Sequence, residues 1–232
     1  MEKLSKQDSL ARRAMEQIRS EITSGRLEPG TMVSAVQLAE RIGVSRTPIR
    51  DALLQLEQAG MVRIEKNRGA TILATTLEDL LEVFQLRLML EVPAAGQAAR
   101  ARTDEQLRGI LDCFEAMGEA TEDAEQLLVL DRDLHISIAE ASGNGRLQGL
   151  LLDLRNLVLT RGVGTTSTAR TGRELVDDHA GLVDAIERRD AEAASAEMRR
   201  HIKNTAQLLI AQEAGGDPEH GPEWVAEQLA WL

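Results

Sequence analysis

The sequence predicts a mainly α-helical chain in two parts: three helices and a short β-hairpin at the front, then an all-α bundle of six to seven helices. Three observations carry this. Residues Gln37 to Gly60, QLAERIGVSRTPIRDALLQLEQAG, read as two short helices around a tight turn. From about Thr76 onward one helical pattern follows another, with no convincing period-2 strand. Charge also divides the chain, with 12 Lys+Arg and 9 Asp+Glu in residues 1–75, net +3, against 15 and 29 in the remainder, net −14. Opposite electrostatics favour two domains with separate tasks, over residues 1–75 and 76–215, followed by a tail or short helix over 216–232.

The first helix is read from Ala11, Met15, Ile18 and Ile22, and Gly25 with Pro29-Gly30 breaks it. Leu38, Ala39 and Ile42 form the apolar stripe of the second, and Gly43 permits the sharp turn that follows. Ser45 is a natural N-cap for the third helix. Pro48 falls in its first turn, where a missing N–H costs little. Ile49, Ala52, Leu53 and Leu56 recur at i, i+3, i+4 and i+7, so that face points inward, and Gly60 suits the left-handed position beyond the helix end. Thr47 and Arg50 fall off the stripe, and Arg46 projects from the first turn. A second helix of this kind reads DNA base edges from its N-terminal end. Val62 and Ile64 then alternate with polar residues, Glu65 to Gly69 forms a turn, and Ala70 to Leu73 returns, which makes a wing. Lys66, Asn67 and Arg68 at its tip can reach phosphates or a minor groove, with Gly69 allowing close backbone approach. A lone basic turn is ordinarily a solvated hairpin tip; directly behind a helix-turn-helix the DNA-facing reading is preferred.

In the second part Thr103 with Gln106 fits a capping box and Asp190 caps the last long helix. Pro93 interrupts or kinks the first long helix. Gly143-Asn144-Gly145 separates the third from the fourth, and Gly162 to Gly172 reads as a loop. Cys113, the single cysteine, falls in a helix as an inert thiol. Trp224, Val225, Leu229, Trp231 and Leu232 form an apolar stripe in the tail, suited to docking on the bundle or on a partner subunit. No apolar run is long enough to span a bilayer and the N-terminus has no apolar signal region, so the cytoplasm is the expected compartment, with no membrane partner.

Several polar residues stand where the helical pattern asks for hydrophobes. Leu128, Asp131, His135 and Ile138 share one stripe, so a carboxylate and an imidazole project together from a core-facing surface. His179 precedes Leu182, Val183 and Ile186 on an inward face, and His201 lies with Met198, Ile202, Thr205 and Leu209 on another. A lone histidine on an apolar face is more often a hydrogen-bonded core residue than a ligand. Three of the chain's four histidines, on three inward faces beside an inward carboxylate, instead match the donors that divalent transition metals prefer. His220, in the Gly/Pro-containing tail, lacks such a face. Arg87 shares a face with Leu80, Phe84, Leu88 and Glu91, and a buried guanidinium needs an anion, either Glu91 or a ligand. Asn156 and Arg161 are further candidates for lining the same cavity, or for plain solvent exposure.

The front part resembles the GntR family of bacterial transcription regulators through Gly25, Leu27, Pro29-Gly30, Leu38-Ala39, Gly43-Val44-Ser45-Arg46-Thr47-Pro48, Arg50, Ala52-Leu53, Leu56, Gly60 and Gly69. The resemblance implies that Arg46, Thr47 and Arg50 contact operator bases and phosphates, assisted by Ser45 and the wing around Gly69. Many relatives carry an acidic and then a basic or polar residue where this chain has Ala35 and Val36, so the operator sequence does not transfer. The second part resembles the FCD domain of the FadR-type subgroup, through Asp131-x-x-x-His135, Ala141-Ser142-Gly143-Asn144, His179 and His201. Leu134 stands where a phenylalanine is common. This resemblance implies Zn²⁺, or Ni²⁺ or Mn²⁺, held by Asp131, His135, His179 and His201, with open positions for a small carboxylate effector and with Arg87 contacting it.

The expected function is a DNA-binding regulator, not an enzyme, acting as a homodimer because one helix-turn-helix reads too few base pairs. Two alternatives stand beside it. The ion itself could be the signal, or the donor set could serve a metal-dependent hydrolase. The second lacks an HExxH arrangement, a nucleophile elbow and a phosphate loop.

Overall fold

The computed structural model describes residues 6–23, 26–58, 60–66, 68–73, 76–160, 169–215 and 217–232. The chain divides into two compact units, one of residues 1–76 and 156–163, the other of residues 77–155 and 164–232.

In the first unit α1 (Lys6–Thr23), α2 (Ala35–Ile42) and α3 (Arg46–Gln58) surround one apolar core. The periodicities read from the sequence decide what is inside: Ile18, Leu38, Ile49 and Leu56 are completely buried. Each contributes about 1.5–3 kcal/mol by leaving water. Ser34 and Gln37 form a reciprocal capping box that starts α2, and Gly43, at φ 75°, ends it in the left-handed conformation. Gly60, at φ 67°, follows α3 in the same region.

The hairpin is present as β2 (Val62–Glu65) and β3 (Gly69–Ile72), paired antiparallel with Ile64 opposite Ala70. A third strand, β1 (Met32–Val33), pairs with β3 on its other edge, so the sheet order is β1-β3-β2. This strand was absent from the sequence expectation. Two residues leave no alternation to detect, and the pairing is fixed by backbone bonds that join Gly30 and Thr31 to Ile72.

The second unit is all-helical among the described residues: α4 (Leu77–Ala101), α5 (Asp104–Glu119), α6 (Ala124–Ala141), α7 (Leu147–Thr160), α8 (Gly172–Glu187) and α9 (Ala191–Glu213). Pro93 does not divide α4, which runs unbroken through it. The predicted caps are in place, with Thr103–Gln106 at α5 and Asp190 at α9. Of the expected Gly162–Gly172 loop, residues 161–168 lie outside those described, and Gly172 itself opens α8 behind a Thr171–Glu174 capping box. α4 packs chiefly on α9. Gly96 permits the close approach, because a Cβ there would meet Ser195 Oγ at 2.4 Å.

A 3-10 turn (Pro218–His220) and α10 (Pro222–Gln228) fold the tail back onto α9, burying Val225 and Leu229 and leaving Trp231 exposed. His220 hydrogen-bonds Asp217 at 2.8 Å and reaches Glu78 on α4 at 3.4 Å. The tail therefore docks on its own bundle. Cys113 is half-buried, its Sγ–H directed at the Leu130 carbonyl, and burial followed by the charge of Asp133 pushes its thiol up to about 11, which keeps it protonated and inert. Among the described residues, no helix is long and apolar enough to cross a membrane.

Gly69 holds a φ of 130°, and a Cβ there would lie 2.3 Å from the Val33 carbonyl oxygen of β1. Gly69→Ala must both strain the backbone and displace β1. We expect a loss of about 1–3 kcal/mol in chemical denaturation, and an unchanged midpoint would refute this account of the wing.

Candidate DNA-reading surface and metal centre

Three helices of the second unit bring the candidate ligands together. Asp131 and His135, one helical turn apart on α6, meet His179 of α8 and His201 of α9. One ligand atom from each lies within 4.8 Å of all the others. The three imidazoles are buried and Asp131 is nearly so. His179 Nε2 stands 3.1 Å from His135 Nε2 and 3.1 Å from Asp131 Oδ1.

The outer ring nitrogens decide which way the lone pairs point. His135 Nδ1 faces the Glu91 carboxylate, His179 Nδ1 lies 2.8 Å from the Leu175 carbonyl, and His201 Nδ1 lies 2.8 Å from Asp178 Oδ2. All three partners can only accept, so each Nδ1 must donate. In the neutral rings every Nε2 is then a lone pair aimed at the same point as Asp131. Four acceptors crowded together repel one another unless a cation lies among them, and the N/O donor set is the kind that holds Zn²⁺ and its neighbours.

Two of the rings, His135 and His201, are held neutral. Burial, and next the charge of Arg155, push His135 down to about 4. Burial and then the neighbouring His179 hold His201 well below the usual imidazole range. For Glu91 burial acts upward, but Arg87, His135 and Arg155 outweigh it and keep the carboxyl ionised. Asp131 follows the same pattern, with the charge of Arg155 foremost among the influences that prevail over burial.

Arginines ring this centre. Arg87 on α4 donates Nε–H to Glu91 Oε1 at 2.6 Å, so the ion pair allowed by the sequence is present, yet its buried Nη2 has no partner among the described residues. Arg155 on α7 pairs with Asp131 and, at 3.3 Å, with Glu91, and its buried Nε is likewise unpartnered. Two buried N–H donors beside the ligand cluster suit an anionic oxygen ligand. Of the other expected cavity residues, Asn156 lies on α7 with its side chain outside the described residues, and Arg161 lies outside them altogether. Arg155 was not anticipated, although it occupies the buried stripe of α7 with Leu147, Leu151 and Val158. The test that found the histidines, a polar residue on an apolar stripe, also picks it out. Asp178 gave no such signal.

In the first unit Ser45, Arg46, Thr47 and Arg50 are all exposed around the start of α3, while Pro48 and Ile49 between them are buried. Neither Arg46 nor Arg50 makes an ion pair among the described residues, whereas Arg41 pairs with Glu21 and Arg68 with Glu65. Lys66 at the wing tip is exposed, Gly69 begins β3, and Asn67 lies outside the described residues.

Comparison with known proteins joins the two units. Residues 10–72 match the family described as bacterial regulatory proteins, gntR family, and residues 82–204, more than half of the chain, match the FCD domain. The chain belongs to the GntR family, with a C-terminal FCD domain. This GntR regulator is 29% identical over 209 residues to the HTH-type transcriptional regulator LutR of Bacillus subtilis, covering 81% of this chain and 95% of that protein. It is 26% identical over 194 residues to the gluconate operon transcriptional repressor of the same organism, covering 81% and 79%. In fold it is similar to E. coli McbR/YncC, with a TM-score of 0.63 at 22% identity over 88% of this chain and 98% of that one. These relationships mark the GntR regulator as a DNA-binding transcription factor and not an enzyme.

The buried imidazoles give the GntR regulator an acid sensitivity of known sign. A His135 that titrates near 6.5 when unfolded and about 4 when folded lets the unfolded chain bind more protons between those values, so stability falls as pH drops through that window. At about 1.4 kcal/mol per unit the full loss is on the order of 3 kcal/mol, and His201 adds to it in the same direction. The melting temperature of the metal-free protein should decline from pH 7 to pH 4. A flat profile across that range would contradict the burial of neutral rings.

Proposed function

We propose that this regulator binds a divalent transition metal, Zn²⁺ foremost, through Asp131, His135, His179 and His201, and that a small carboxylate bound beside the ion controls its affinity for operator DNA. The observation that carries this is the convergence of three Nε2 lone pairs, each imposed by an Nδ1 acceptor, on one carboxylate. A bound ion would supply open coordination positions for a carboxylate oxygen. Arg87 Nη2 and Arg155 Nε are the chain's own contribution to holding the anion, as buried donors without an acceptor among the described residues. The relative named for the gluconate operon supports a carboxylate as the class of signal.

Arg46, Thr47 and Arg50 read the operator, with Ser45, Lys66, Arg68 and Gly69 contacting its backbone or minor groove. The protein acts as a cytoplasmic homodimer on a two-fold site, because one such helix specifies too few base pairs. The effector alters operator affinity to the extent that it binds two arrangements of the dimer unequally.

Two experiments test this. Arg50→Ala should weaken operator binding by about 1–3 kcal/mol, the worth of a bidentate base contact, in a gel-shift titration; full affinity would remove Arg50 from the reading surface. In the second, wild type and His179→Ala are compared for metal content and for operator release by a panel of hydroxy acids, sugar acids and dicarboxylates. The wild type should carry stoichiometric metal and respond to a member of the panel, and the variant should lose both. Full metal in the variant would exclude His179 as a ligand, and operator release by chelator alone, with no carboxylate active, would make the ion itself the signal.

A further inference from the structure

Glu91 is buried on α4 with 1% of its side chain exposed. Its oxygens accept from three partners on three helices. Oε1 takes Arg87 Nε–H at 2.6 Å, and Oε2 takes both His135 Nδ1–H and Arg155 Nη1–H, the latter at 3.3 Å. Arg87 alone balances the charge of Glu91, so charge pairing does not require the contact to His135. That contact has a separate consequence. His179 is oriented by a carbonyl of its own helix four residues earlier, and His201 by Asp178 on the adjacent α8. His135 has no such local partner, and its ring would be free to flip or to carry its proton on Nε2 were Glu91 absent.

We propose that Glu91 is a positioning residue for the metal centre: it holds His135 in the Nδ1–H tautomer, fixes the ring plane, and strengthens Nε2 as a donor to the ion. A ligating imidazole whose outer N–H meets a carboxylate is both better oriented and more basic, and loss of such a partner typically lowers metal affinity about 10–100-fold. The proposal rests on the cluster being a metal site. It adds that the carboxylate steadying a metal ligand is the same one that orients Arg87 and Arg155, so the ion and the anion-binding arginines share one internal support.

The test measures Zn²⁺ affinity of the full-length protein by competition with a chromogenic chelator, for wild type, Glu91→Gln, His135→Ala and the double variant. Glu91→Gln should bind Zn²⁺ with unchanged stoichiometry but about 10–100-fold more weakly. In the His135→Ala background the same substitution should cost nothing further, because Glu91 acts through that ring. Equal Zn²⁺ affinity in wild type and Glu91→Gln overturns the proposal, as does an equal loss with and without His135, which would make the effect one of general packing. Should Glu91→Gln fail to fold because two arginines lose their counter-charge, Arg87→Met/Glu91→Gln removes one of them. The Zn²⁺ loss must persist there, and recovery to wild-type affinity would overturn the proposal. If the wild type takes up no Zn²⁺, the metal reading fails together with this one; if it does and Glu91→Gln matches it, this one fails alone.

Discussion

Charge placed inside a helical bundle must be closed locally, and in this protein that closure organises the second unit. Glu91 from α4, Asp131 from α6 and Arg155 from α7 neutralise one another across three helices, with Arg87 completing the set. An ionised group taken out of water costs several kcal/mol unless paired, and removing one member of such a set strands the rest at about 3–5 kcal/mol. The helices are thus held not only by apolar packing but by a requirement on their relative register. A shift of α7 by one residue would withdraw Arg155 from both carboxylates. His135 sits inside this framework, and its neutrality is a product of it, since burial and the nearby guanidinium both oppose protonation.

The same residue type serves opposite ends in the two units. Arg46 and Arg50 are exposed and unpaired among the described residues, and this leaves their planar donors free for base edges or phosphates. Arg87 and Arg155 are buried and mostly spoken for, each retaining one N–H-bearing nitrogen without a partner among the described residues. An exposed guanidinium confers sequence reading on a large, strongly charged polymer. A buried one can select only something small enough to enter and negative enough to repay desolvation.

The helix-turn-helix was fully legible because its signals are local: a glycine at a positive φ, a proline in a first turn, and an i, i+3, i+4, i+7 stripe. The cluster of Asp131, His135, His179 and His201 was legible for a different reason, since a polar residue on an apolar stripe is conspicuous without knowledge of what faces it. Arg155 carried that signal and Asp178 did not, because Asp178 lies beside a buried histidine, off the stripe, and acquires its role only when α9 brings His201 to it. The two-residue strand β1 was illegible because its pairing is dictated by the partner edge. Pro93 misled in the opposite direction: it weakens a helix locally, yet α4 runs unbroken through it, packed along α9.

The order of the ligands along the chain has a consequence for how the protein is made. Asp131 and His135 emerge together on α6, but His201 lies on α9, the last long helix, so the donor set is complete only when nearly the whole bundle has been synthesised. A half-made chain offers an incoming ion two ligands from one helix, an open and exchangeable chelate. The enclosed site is a property of the finished chain, so an ion held there would be a physical report that synthesis and packing are complete.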